Sequence, residues 1–97
     1  MNTNPNTDRK SMEKSMNRLG RQIKGIKGDI EILRSMRDDA SRMAKRIERV
    51  NSVECSKFTE MAAFYAEKAK AKQVELREVE CTLAWERDVY TRRTMVE

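Results

Sequence analysis

The sequence predicts an all-α protein: two long amphipathic helices folded into an antiparallel hairpin, with two copies joining as a four-helix bundle or coiled coil. Three observations carry this prediction. The composition favours helix, the apolar residues recur at heptad spacing, and that spacing breaks once near the middle. Of the 97 residues, 38% are hydrophobic and 38% are charged, with only three Gly and one Pro to make turns. This is too apolar for general disorder and too charged for a thick core. Glu, Lys, Arg, Met, Ala and Leu dominate, and all are good helix formers. The length suits one domain.

Residues 1–7 read as a polar tail holding the sole proline. Residues 8–97 read as a single hairpin domain. Thr7 or Asp8 can cap a first helix over about residues 8–50, with its carboxylate well placed at the positive helix end. Met12, Met16, Leu19, Ile23, Ile26, Ile30 and Leu33 follow at alternating steps of four and three. That is a heptad seam. It continues through Met36, Ala40, Met43, Ile47 and Val50, where the step from Leu33 to Met36 reads as a stammer that overwinds the helix. A five-residue jump from Val50 to Cys55 then breaks the seam. Asn51, with Glu54 three residues on, has the form of a capping box. A second helix is therefore expected over about residues 52–92. One continuous rod with a phase shift is the competing reading.

The second helix carries its own seam: Cys55, Phe58, Ala62, Tyr65, Ala69, Lys72, Leu76, Val79, Leu83, Glu86 and Tyr90. Phe64, Ala71, Val74, Cys81, Trp85 and Val89 gather on the opposite face. A helix apolar on two sides is expected to be buried on two sides. One side takes the first helix. The other needs a partner, and a second copy is the simplest one, in parallel or antiparallel orientation.

The chemistry points away from catalysis. There is no His, so the commonest general base and metal ligand is missing. Two Cys make neither a zinc nor an iron–sulfur ligand set, and a Cys nucleophile lacks a His base. Gly20, Gly25 and Gly28 do not form a phosphate loop. The expectation is no enzyme, no metal, no cofactor and no small-molecule substrate. No apolar run approaches the ~18 residues of a membrane span. The polar start lacks a signal-peptide core. A cytoplasmic, reducing location with free thiols follows. No intrachain disulfide is expected, because Cys55 and Cys81 would lie about 39 Å apart on one helix, against a limit near ~7 Å.

Charge supplies the functional expectation. Net charge is +5, and residues 1–50 hold 13 Lys/Arg against 7 Asp/Glu. Basic character in one half favours an anionic partner. Lys10, Lys14, Asn17, Arg18, Arg21, Lys24, Gly25 and Gly28 fall on one face, opposite the seam, with Glu13, Asp29 and Glu31 at its margins or beyond. Five cations in line can track a phosphate backbone. A glycine within a helix costs about 1 kcal/mol relative to Ala, which makes sense where a strand must come close. The same face also has the ordinary reading of a solvated charged surface. No aromatics interleave with the cations, so single-strand stacking is unsupported. Sequence-independent binding of duplex nucleic acid is expected, with RNA favoured because it is read by shape and backbone. The alternative is a coiled-coil adaptor, chaperone or inhibitor that holds a partner protein on the second apolar stripe.

Two resemblances bear on this. The segment Arg18-Leu-Gly-Arg-Gln-Ile-Lys-Gly-Ile resembles the first helix of copper- and formaldehyde-sensing helical repressors. That likeness implies Cys and His ligands on the next helix. This chain has no His, and its two Cys are not at the family's spacing. In outline, the dimeric helical hairpin is similar to small viral silencing suppressors of the nodavirus kind, which implies duplex RNA as the ligand.

Overall fold

The computed structural model describes residues 5–96, with side chains described for residues 9–95. It contains two helices, α1 (Pro5–Ile47) and α2 (Ser52–Val96), and no strand among the described residues. They pack along their length as a hairpin measuring 71 × 20 × 15 Å.

Helix α1 begins earlier than the sequence suggested. Pro5 occupies its first turn, where a fixed φ fits and a missing N–H is no loss. Thr7 and Asp8 therefore lie inside the helix rather than capping it, and the tail expected over residues 1–7 shrinks accordingly; residues 1–4 lie outside the described residues. Helix α1 also stops at Ile47, three residues short of Val50.

The connection explains itself without glycine. Ile47 C=O accepts from Val50 N at 3.0 Å and from Asn51 N at 2.8 Å. No described residue has a positive φ, so nothing in the turn requires the left-handed freedom of Gly. Asn51 then caps α2: its Oδ1 accepts from Glu54 N at 3.2 Å, and its C=O accepts the first helical bond from Cys55 N at 3.0 Å. Only half of the expected capping box forms. Asn51 N is committed to Ile47, and the Glu54 carboxylate pairs with Lys57 Nζ at 3.4 Å. Removing the cap by Asn51→Ala should destabilise the hairpin by about 1 kcal/mol. For a domain of this size that lowers Tm by about 4–8 °C. Thermal unfolding followed by circular dichroism reads this directly, and an unchanged Tm would contradict the capping role.

Helix α2 runs to Val96 rather than ending near 92. No Gly or Pro stops it, and Thr94 Oγ1 bonds back to Tyr90 C=O at 3.1 Å, the form a threonine takes inside a helix.

The seams meet in mirror register about residue 51. Every residue of the α2 seam is buried or half-buried, from Cys55 to Tyr90. On α1 the buried set is Leu19, Ile26, Ile30, Ala40 and Ala44, with Met12, Met16, Ile23, Leu33, Arg37 and Ile47 half-buried. The steps from Leu33 onward are therefore four, three, four and three, through Arg37, Ala40, Ala44 and Ile47. The expected stammer is absent. The α2 seam keeps strict heptad steps, so a slipped α1 seam would lose register with it. Size also decides it: Phe58 and Tyr65 come from α2 at this level, and small alanines leave room for them. Met36 (40% exposed) and Met43 (39%) are displaced to the flank, where they line a shallow groove with Phe58, Met61 and Tyr65. Val50 is 85% exposed in the turn.

Polar seam residues find partners at the edges, except that Glu86 Oε2 is buried without a hydrogen-bond partner among the described residues. Lys72 Nζ reaches Asp29 Oδ2 and Glu75 Oε2, each at 3.5 Å, while its stem stays in the seam. Ser15 Oγ donates to Glu86 Oε1 at 3.0 Å. Tyr90 OH donates to Glu13 Oε1 at 2.7 Å. These three contacts cross from helix to helix and fix the antiparallel register.

Candidate nucleic-acid interface

The outer face of α1 lies opposite the seam because the helix period of 3.6 residues puts Lys10, Lys14, Asn17, Arg18, Arg21 and Lys24 there. All six are exposed. None of the five cations among them has an ion-pair partner among the described residues. The acids at the margin are turned away: Glu13 accepts from Tyr90 and Asp29 faces Lys72. Glu31 stays exposed at the far margin. Free, hydrated cations release counterions when they meet phosphate, and that release drives backbone binding.

Exposed cations without an ion pair among the described residues continue past this face, at Lys27, Arg34, Lys45, Arg46 and Arg49. In the same stretch, Arg37 is held by Asp38 at 3.0 Å, and Arg42 pairs with Asp39. Exposed pairs of this kind contribute little stability, but they occupy the cations. The five cations of this face span Lys10 to Lys24, about 21 Å at 1.5 Å per residue. A duplex carries about 12 phosphates over that length of axis, so five cations are enough to face one side of it.

The concavity within this face was not foreseen. Ser11, Lys14, Ser15, Asn17, Arg18 and Arg21 line a shallow open depression. Ser11 offers a hydroxyl beside the cations, whereas Ser15 is already donating to Glu86. Two serines four residues apart flanking Lys14 were the available signal in the sequence.

The glycines stand in open space. A Cβ built at Gly20, Gly25 or Gly28 meets nothing within 4 Å. No close packing and no positive φ requires them. Gly25 is exposed and Gly28 half-buried. Gly25→Ala should therefore raise stability by up to about 1 kcal/mol, seen as a Tm higher by about 4–8 °C. A lower Tm would mean that the fold itself needs this glycine.

The second candidate surface lies on α2. Phe64 (56% exposed), Val74 (56%) and Trp85 (67%) stand in solvent. Ala71 and Cys81 are exposed between them. Val89 departs from the expectation: it is half-buried, close to Ser11, Met12 and Ser15 at the rim of the seam. Cys81, expected as a buried or half-buried small hydrophobe, is exposed, whereas Cys55 is half-buried; both are free thiols. Phe64 is steadied locally, with Tyr65 edge-on at 5.7 Å and Lys68 Nζ at 5.1 Å from its ring centre.

Among the described residues, no group of His, Cys, Asp or Glu could hold a metal ion, and no helix is long and apolar enough to cross a membrane. Comparison with family models, curated proteins and solved structures finds no match. The assignment of function therefore rests on the chain's own residues.

Proposed function

We propose that this is a non-enzymatic, dimeric helical protein that binds duplex nucleic acid through the outer face of α1, without sequence specificity and with RNA favoured. The observation that carries the reading is the row of five exposed cations from Lys10 to Lys24, none with an ion-pair partner among the described residues. Lys14, Arg18, Arg21 and Lys24 serve as phosphate contacts. Asn17 and the Ser11 hydroxyl add hydrogen bonds to phosphate or sugar. Gly25 and Gly28 leave the helix surface low, so that a strand can approach. Nothing on this face is shaped to read base edges, which in duplex RNA lie in grooves reached mainly by shape and 2′-hydroxyl contacts.

A titration of the folded protein with two unrelated RNA duplexes and their DNA counterparts, at 50 and 100 mM salt, tests this. Equal affinity for the two RNA sequences is expected, with DNA weaker. Failure of every duplex to bind would reduce the basic face to a solvated surface.

A second reading has its own observation. Trp85 and Val74 stand exposed on α2, and a partner protein that lays a helix on them would make the hairpin an adaptor, chaperone or inhibitor. In that case Trp85→Ala abolishes capture of the partner, and Arg18→Ala does not.

A further inference from the structure

We infer that the outer face of α2 is a second coiled-coil seam, and that its occupant is a second copy of this chain lying antiparallel, with the two-fold axis at Val74. This sharpens the dimeric part of the proposed function, and its test contains no nucleic acid, so the two can fail separately.

Five of the exposed apolar residues of α2 are Val53, Phe64, Val74, Trp85 and Met95. Their steps are 11, 10, 11 and 10 residues. Three turns of a helix wound at 3.5 residues per turn take about 10.5 residues. All five therefore point the same way along a supercoiled helix, across its whole length. Scattered exposed hydrophobes need no explanation, but a row in one register does.

The row is also symmetric. Turning it by half a revolution about Val74 brings Val53 onto Met95 and Phe64 onto Trp85 within one residue. A two-fold interface requires that kind of self-complementarity, and an unrelated partner would not impose it. Charge selects the antiparallel sense. In a parallel pair, Glu60, Glu67, Glu78 and Asp88 would each meet their own copy. In the antiparallel pair, Glu67 comes opposite Cys81 and Glu78 opposite Ala71, so that only Glu60 with Asp88, and Lys57 with Arg92, still bring like charges together. The two basic stretches of α1 also end up at opposite ends of the assembly rather than side by side.

The hairpin alone has reason to associate. Only seven hydrophobic residues are buried among those described, and no large side chain is fully buried. A seam from Val53 to Met95 is about 63 Å long. At an interhelical width near ~10 Å, it covers roughly 600 Å² per copy, at the lower end of stable interfaces. Because this seam faces away from α1 along most of its length, with Trp85 at its edge near Ser11, Met12 and Ser15, the helices stand in the order α1, α2, α2, α1. That is a four-helix layer rather than a closed bundle, and it leaves both basic faces outward.

The test uses the whole chain and its own thiol. Light scattering should give twice the 11.4 kDa chain mass. In Cys55→Ser protein, mild oxidation should leave Cys81 uncrosslinked, because the two Cys81 positions lie about 21 Å apart. Adding Glu67→Cys should produce a disulfide-linked dimer joining position 67 of one chain to Cys81 of the other, seen on a non-reducing gel and by peptide mapping. A Cys81–Cys81 crosslink without the added cysteine would show a parallel pair and overturn the proposal. A stable monomer, or a dimer that gives neither crosslink, would overturn it as well.

Discussion

Affinity for duplex RNA is expected to fall roughly 500-fold between 50 and 200 mM salt, the consequence of about five phosphates neutralised at a slope near −4.5 in log K against log salt. The cations from Lys10 to Lys24 supply those five charges, and none of them is paired within the described residues. Replacing Arg18 and Arg21 by Ala removes two of the five. The slope should then flatten by about 2, so the same salt change weakens binding only about 30-fold. The loss should be uniform across sequences, because phosphate contacts carry no sequence information. Arg42→Ala provides the contrast: Arg42 is paired with Asp39 and lies beyond the face, so the slope should hardly change. A double variant with the parental slope would remove Arg18 and Arg21 from the interface. Gly25→Leu should weaken binding by bulk alone, with helix stability raised rather than lowered.

The second large effect concerns the seam. Ile30 is 4% exposed at the middle of α1, whereas Ile32, two residues on, is 60% exposed on the outer side. Ile30→Ala should cost about 2–5 kcal/mol, from lost burial and the cavity left behind. That lowers Tm by more than about 10 °C. Ile32→Ala removes the same atoms from solvent-facing surface and should stay within about 0.5 kcal/mol. The same substitution at two nearby positions thus separates packing from helix propensity. Equal effects would mean that the seam is not where the hairpin buries its surface.

The hairpin was legible because its signals are local and redundant. The heptad steps of α2 and the Asn51 cap each follow from residue type and spacing, and the structure places both as expected. The lower half of the α1 seam was not legible in the same way. Methionines at 36 and 43 look like seam residues in isolation, and Arg37 and Ala44 do not. Only the facing Phe58 and Tyr65 decide that alanine belongs inside and methionine at the flank. The helix ends shifted for a related reason: Pro5 is compatible with a first turn as well as with a tail, and nothing after 92 forbids helix. The basic face was readable from helical periodicity. The reach of Glu13 and Asp29 away from it was not, since it depends on Tyr90 and Lys72 arriving from the other helix. The exposure of the second α2 stripe follows from the hairpin pairing alone. Its register becomes visible once the exposed residues are known.

The most direct measurement is the map of backbone amide shifts in the folded protein as an RNA duplex is added. The account predicts that perturbations concentrate on residues 10–28 of α1, with Gly25 and Gly28 among the largest, while the amides around Val74 and Trp85 hold still. Perturbations centred on Val74 and Trp85, with residues 10–28 unchanged, would contradict it.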